Sequence, residues 1–215
     1  MSYYADLSNY EYSNFEYTIE GYKVLNVGWI DGLHKFDQGD ISDEILKSLW
    51  EYIKIPFNRM RGLYCDTILD GQNKVFVANF EGYAITLGDA EIRVIDEERK
   101  IVYASPNMIL HYIINHRYYP PQCFIDAVMY GPKPGSDSYS KILIEKKHHH
   151  TNSMLECIYC KDHNTRIGYS YNTNQVNPQN IIITELKNDI KMTQDNRMHR
   201  VICRKCGGIF EAPLN

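Results

Sequence analysis

Two pairs of cysteines near the C-terminus carry the clearest chemical signal in this sequence. Each pair encloses two residues, at Cys157 and Cys160 and again at Cys203 and Cys206, and two glycines follow Cys206. A turn of this spacing aims both sulfurs at one point, and four thiolates satisfy the tetrahedral preference of zinc. Glycine lets the chain bend sharply behind the second pair. The sequence therefore predicts one structural Zn²⁺ ion held by these four cysteines, with no coordination position left for catalysis.

The residues between the pairs predict the elements that bring the cysteines together. Forty-two residues separate Cys160 from Cys203, whereas compact zinc ribbons have about 15 to 20. Strand-like runs at 166–171, 181–186 and 200–203 can form an antiparallel sheet that closes this gap. We therefore interpret residues 151–215 as a small β-rich zinc-ribbon domain that is marginally stable without its metal. A disulfide or a redox dithiol is the alternative.

The N-terminal part offers a weaker set of reactive side chains. Cys65, Cys123, His111 and His116 are the residue types of a nucleophile with a base. The two histidines are five residues apart on a predicted helix, which places them about 140° apart around its axis. We therefore expect that they cannot readily share one ligand or substrate. Glycine-rich phosphate loops, nucleophile elbows and kinase signatures are missing from the sequence, which favours a non-enzymatic role.

Periodicity predicts the elements of the N-terminal part. Ser42 can cap a helix that runs to about Lys54, and Pro56 prevents its continuation. Alternating apolar residues predict four strands at 75–80, 83–87, 91–95 and 101–104, and their short links indicate an antiparallel β-meander. A helix capped by Ser105 and another that begins after 120–121 would pack on this sheet. The fold class predicted for residues 1–130 is therefore α+β.

A stretch rich in glycine, proline and serine at 131–138 predicts a domain boundary. We interpret residues 131–150 as a linker, in which 141–145 favour a strand that ends the first domain or begins the second. The predicted domains are therefore 1–130 and 151–215.

Composition and charge limit the surroundings and partners of the protein. The chain of 215 residues is 44% hydrophobic, but no window approaches the roughly 18 apolar residues of a membrane span, and the N-terminus lacks signal-peptide features. We therefore expect a soluble, cytoplasmic protein, or one inside a host cell if its source is a virus. Residues 1–150 have 15 basic and 21 acidic side chains, whereas 151–215 have 8 and 6. Only the C-terminal part could bind a polyanion, and weakly.

Several collinear segments resemble an uncharacterised family of small bacterial proteins, common in actinobacteria, that has no assigned activity. They are 4–12, 25–32, 58–65, 90–94 and 103–121, so the resemblance covers roughly residues 4–130. Family members usually have a cysteine pair after an Arg-Gly, which implies a small metal site. Here Cys65 occupies the first position and Ile68 the second, so we interpret Cys65 as an orphan. The zinc ribbon lies outside the resemblance.

Three hypotheses for the function follow. The favoured one is a non-enzymatic, zinc-containing binding protein that acts through protein–protein contacts, in an immunity, inhibitor or assembly role. The second is a nucleic-acid-associated factor that uses the zinc ribbon as its basic surface, and the third is a hydrolase or nuclease with a site that the sequence does not reveal. The acidic first domain argues against the second, and the scattered polar residues argue against the third.

Overall fold

The computed structural model describes residues 3–11, 21–57, 63–68, 74–144, 165–172, 179–185, 197–203 and 209–213, with the backbone alone for 140, 144, 165–172, 197–203 and 209–213. Its helices and strands, in chain order, are β1 (Lys23–Asn26), α1 (Asp43–Ile53), β2 (Phe76–Phe80), β3 (Tyr83–Thr86), β4 (Glu91–Asp96), β5 (Ile101–Pro106), α2 (Ile109–His116), α3 (Gln122–Tyr130), α4 (Asp137–Ile144), β6 (Thr165–Asn172), β7 (Ile182–Glu185), β8 (Arg197–Cys203) and β9 (Ile209–Pro213).

The strands lie in three small sheets, in the orders β1-β5-β4, β3-β2-β7 and β6-β8-β9. Strand β1 is parallel to β5, and the other pairs are antiparallel. Helices and mainly antiparallel strands together confirm the α+β class. Among the described residues, no helix combines the length and apolar character that a membrane crossing requires.

The predicted single meander is wrong, because its four strands form two hairpins in different sheets. The chain leaves the β2–β3 hairpin at Gly88, whose φ of +96° lies in the left-handed region. A side chain there would meet the carbonyl oxygen of Tyr64 at 2.5 Å, and the Gly88 N–H donates to Asn107 Oδ1 at 2.7 Å. This turn redirects the chain, so that β4 pairs with β5 instead of β3.

Local signals set the helix ends with mixed success. Helix α1 spans the predicted residues, and the Ser42 hydroxyl accepts a hydrogen bond from the N–H of Ile45. Helix α3 begins directly after Pro121, as the sequence predicts. Ser105, however, belongs to β5, and α2 starts three residues later behind Met108, which provides no side-chain cap. Strand pairing of Ser105 with Ile92 therefore prevails over its capping preference.

The predicted linker contains helix α4, so the predicted strand at 141–145 is wrong for the described residues 141–144. Tyr139 of α4 is 6% exposed and its hydroxyl donates to the carbonyl oxygen of Arg93 at 2.9 Å. Strand β7, from the predicted second domain, pairs with β2 of the first. The domain boundary itself stays a prediction.

The hydrophobic core lies between α1, α2, α3 and the two N-terminal sheets. Trp50, Ile85, Tyr103 and Phe124 are among its nearly inaccessible side chains. Helix α2 is buried over most of its length, so its polar side chains must find partners inside the protein.

Candidate functional site

His111 and His116 of α2 both contact the carboxylate of Asp66, although they lie almost one and a half helical turns apart. The Nε2 atom of His111 lies 2.8 Å from Asp66 Oδ2, and the Nε2 atom of His116 lies 2.6 Å from the same oxygen. The prediction that these histidines cannot share a ligand is therefore wrong. We refer to Asp66, His111 and His116 as the Asp-His-His cluster.

The geometry of the helix end explains why both side chains reach one atom. An angle of about 140° separates the directions in which the two side chains leave the helix. Asp66, from a separate segment, lies between their imidazole rings. His116 is the last residue of α2, because Arg117 takes a left-handed conformation with φ of +56°. His111 is held on the other side by Phe76 of β2, whose ring stacks on the imidazole at 3.9 Å.

Residues 63–68 hold Asp66 in place. The N–H of Tyr64 donates to the carbonyl oxygen of Gly88 at 2.8 Å. The N–H of Ile68 donates to Asp66 Oδ1 at 2.8 Å, so this oxygen is occupied and Oδ2 faces the histidines. The carbonyl oxygen of Thr67 lies against Gly32, where a Cβ atom would approach it to 2.6 Å. The close approach requires glycine at position 32.

The cluster is buried and its carboxylate is ionised. His111 is 0% and Asp66 3% exposed, and the His116 side chain is 8% exposed. Burial raises the pKa of Asp66, but the hydrogen bonds from His111, His116 and Ile68 and the charge of His116 outweigh it and hold the pKa well below its ordinary value. The Nδ1 atom of His111 has no hydrogen-bond partner in the part of the chain that the structure describes.

A groove of about 760 Å³ lies between the β4–β5 turn and α3. Acidic side chains line it at Asp96, Glu97, Glu98 and Asp126. Arg99 donates to Asp96 at 2.7 Å. Tyr130 lies on the wall of the groove and is 86% exposed. We refer to this feature as the acidic groove.

Comparison with known proteins places this part of the chain in a family. The family described as "Domain of unknown function (DUF7919)" matches residues 2–129. The chain belongs to this family. No curated protein and no solved structure matches the chain. The DUF7919 domain contains the whole Asp-His-His cluster and most of the acidic groove, and the family assignment confirms the resemblance to an uncharacterised family.

Asp66 is the residue of the DUF7919 domain that sequence reasoning missed. It is 45 residues from His111 and 50 from His116, and it stands outside any regular element, so no period links the three. Their residue types were the available signal. Cys65 and Cys123, the other predicted reactive residues, are half-buried and free, and neither belongs to the group of described donor atoms that lie within 4.8 Å of one another.

The predicted zinc ligands lie beyond the DUF7919 domain. Cys157, Cys160 and Cys206 fall outside the described residues. Cys203 is the last residue of β8, whose backbone pairs with Thr165 at the start of β6. The four-cysteine zinc site therefore stays a prediction.

Proposed function

We propose that the protein is a non-enzymatic, zinc-containing binding protein of the cytoplasm that acts through contacts with another protein, in an immunity, inhibitor or assembly role. The observation that carries the proposal is the acidic groove with an exposed tyrosine on its wall. Its partner would present a basic segment.

The charges of the groove favour such a partner. Arg99 neutralises Asp96, and Gln122 donates to Asp126 at 2.9 Å without changing its charge. Glu97 and Glu98 are exposed. The groove therefore keeps a net negative charge, which attracts lysine and arginine side chains and accelerates association at low salt.

Tyr130 supplies the apolar contact that charge alone lacks. Its side chain is 86% exposed, although tyrosine usually buries its ring and keeps its hydroxyl wet. Exposed aromatic side chains are enriched among the residues that dominate binding energy at protein interfaces. A rigid ring beside carboxylates fits the aliphatic stem and charged head of a lysine or arginine.

The predicted zinc ion would order the C-terminal part of this binding protein. Strands β6, β8 and β9 form one antiparallel sheet, which is the arrangement a zinc ribbon uses. Cys203→Ser should lower the zinc content and make residues 151–215 sensitive to protease. Unchanged zinc content by mass spectrometry would contradict the four-cysteine site.

The other two hypotheses draw on different features. A nucleic-acid-associated factor would use basic side chains of the C-terminal part, and the acidic groove would repel the phosphates. A hydrolase or nuclease would use the Asp-His-His cluster, because a carboxylate and two imidazoles are common parts of hydrolytic sites. The groove favours protein contacts over both.

Affinity capture with the full-length protein tests the proposal. We expect a stoichiometric protein partner that Tyr130→Ala and the double variant Glu97→Lys/Glu98→Lys both fail to retain. Leu33→Ala is the matched control, since Leu33 is 91% exposed and does not line the groove. Equal capture by all variants, or salt-sensitive binding of an oligonucleotide in place of a protein, would overturn the proposal.

A further inference from the structure

The Asp-His-His cluster brings together three donor atoms from segments far apart in the chain. One donor atom from each of the three residues lies within 4.8 Å of the other two, and both Nε2 atoms lie within 2.8 Å of Asp66 Oδ2. The imidazole rings of His111 and His116 are 5.1 Å apart and inclined at 79°, so they do not stack and each aims a nitrogen at the same point. Two imidazoles and one carboxylate are a common donor set for zinc and other divalent transition metals.

We propose that Asp66, His111 and His116 bind one divalent transition-metal ion, and that Zn²⁺ is the ion this site takes. This inference is independent of the protein-contact role and of the four-cysteine site. Its ligands would be two neutral imidazole nitrogens and one carboxylate oxygen. The divalent ion and these three ligands would together have a net charge of +1.

The distances in the cluster need only a small change to admit the ion. Ligand atoms at about 2.0 to 2.1 Å from a tetrahedral ion are about 3.3 Å from one another. The nitrogens are now 2.8 and 2.6 Å from Asp66 Oδ2. An outward shift of about 0.5 to 0.7 Å per contact is therefore sufficient, which a small rotation of the side chains can provide.

The surroundings hold the donors in position before an ion enters. Ile68 fixes one oxygen of Asp66 through its N–H, which leaves Oδ2 for the ion. Phe76 stacks on the ring of His111 and so restricts its rotation. Such support of the ligands lowers the conformational cost of binding and is typical of metal sites.

The charge of the cluster also favours a cation. The carboxylate of Asp66 is 3% exposed, and among the described residues its ion-pair partners are the two histidines. A metal ion at Oδ2 would give this buried carboxylate a permanent positive partner. A divalent ion would replace the Nε2 protons that now point at Asp66.

Three protein ligands leave a fourth position of a tetrahedral ion for water or another small ligand. A cavity of about 320 Å³ is lined by Asp31, Gly32, Leu33 and Thr67. Thr67 directly follows the ligand Asp66. With three protein ligands the site would be of the open type, in contrast to the closed set that four cysteines would form.

Metal content of the full-length protein tests the proposal directly. After loading with Zn²⁺ and removal of excess ion, we expect His116→Gln and Asp66→Asn each to retain about one equivalent less than the parent protein. The affinity of the site should fall by more than about 100-fold, since loss of an outer partner alone costs about 10- to 100-fold. His34→Gln is the matched control, because His34 is a half-exposed histidine outside the cluster.

Cobalt distinguishes this site from other metal-binding features of the chain. In the variant in which Cys157, Cys160, Cys203 and Cys206 are all replaced by serine, Co²⁺ should give visible absorption bands without the near-ultraviolet bands of thiolate ligands. His116→Gln should abolish these bands, whereas replacing the histidines at 148–150 by glutamine should leave them unchanged. The proposal is overturned if the cysteine variant binds no Co²⁺, or if the 148–150 replacement removes the bands. The cysteine variant keeps the cluster intact, so this result does not depend on whether the cluster variants fold.

Discussion

The rings of His111 and His116 lie 5.1 Å apart, centroid to centroid, although the two residues are five positions apart in the helix. Their nitrogens converge because Asp66 approaches the end of α2 from residues 63–68. The shared carboxylate thereby ties a segment without regular structure to a buried helix. We therefore expect the cluster to stabilise the fold in the absence of an ion.

Replacement of Asp66 should destabilise the metal-free protein. Asp66→Ala leaves two largely buried Nε2 donors and the N–H of Ile68 without their acceptor, which costs about 3 kcal/mol in the free energy of unfolding. Asp66→Asn should cost less, because the amide oxygen still accepts. Urea unfolding in the presence of EDTA measures both values.

The matched control for this prediction is His34→Ala. His34 also contacts a carboxylate, Asp31, at 2.8 Å, but its side chain is 48% exposed. We expect a loss of less than about 1 kcal/mol there. If Asp66→Ala and His34→Ala unfold at the same urea concentration, the Asp-His-His cluster does not stabilise the fold.

A buried ion pair on β4 gives a second prediction. Arg93 lies 2.6 Å from Glu91, and the two side chains are 3% and 1% exposed. Burial lowers the pKa of Arg93, but Glu91 and Tyr10 outweigh it and raise the pKa above its ordinary value, so the guanidinium stays charged. Glu91→Gln should therefore lower the free energy of unfolding by about 3 to 5 kcal/mol, because it leaves a buried charge uncompensated.

Asp40→Asn is the comparison for Glu91→Gln. Asp40 pairs with Arg117 at 2.9 Å, yet both side chains are well exposed. Exposed pairs contribute at most about 1 kcal/mol. Similar losses for the two variants, measured by urea unfolding, would show that burial does not control the strength of the pair on β4.

Local signals predicted the elements of the N-terminal part better than their arrangement. Ser42 and Pro56 bracket α1 because capping and the missing proline N–H act within a few residues. Alternation likewise located the strands from Phe76 to Pro106. The division into two sheets depends on Gly88 and on its contacts with Tyr64 and Asn107, and no local pattern encodes such distant contacts.

For the same reason, only the two histidines of the cluster could be identified as candidates from the sequence. The types of His111 and His116 marked them as candidates, but helical spacing placed them on different sides of α2. Their meeting requires Asp66, 45 residues earlier in the chain. A site assembled across sheets and loops needs the tertiary fold before its members can be recognised.

Lys133 should make stability depend on pH in the alkaline range. Its Nζ donates to Ser48 Oγ at 2.6 Å and to the carbonyl oxygen of Val128. Burial lowers the pKa of Lys133, and Glu51 opposes this only in part. Between the lowered folded pKa and the unfolded value of about 10.4 the unfolded chain binds more protons, so the free energy of unfolding rises with pH.

Lys133→Met should remove this increase of the free energy of unfolding with pH. Urea unfolding from about pH 8 to about pH 10 would measure the slope for each protein. Lys47→Met is the control, since it removes an exposed lysine of α1, and its slope should match that of the parent. Equal slopes for the parent and Lys133→Met would show that the fold does not perturb this lysine.

Strand β7 provides the last prediction, because it joins the predicted second domain to the sheet of the first. It pairs with β2 in a register from Phe76 opposite Glu185 to Asn79 opposite Ile182. Lys74 also lies 3.1 Å from Glu185. A chain that ends at residue 150 would leave one edge of β2 without hydrogen-bond partners and should lose about 2 to 4 kcal/mol in the free energy of unfolding.

Hydrogen exchange locates this effect. In the truncated chain, amides of β2 should exchange faster than in the full chain, whereas those of β4, which lies in the other sheet, should change little. Ile183→Pro in the full chain should reproduce the change, because proline disrupts strand pairing. Since Phe76 of β2 stacks on His111, both changes should also weaken Zn²⁺ binding at the Asp-His-His cluster. Unaltered exchange in β2 of the truncated chain would mean that the first domain, predicted from the sequence as residues 1–130, folds without β7.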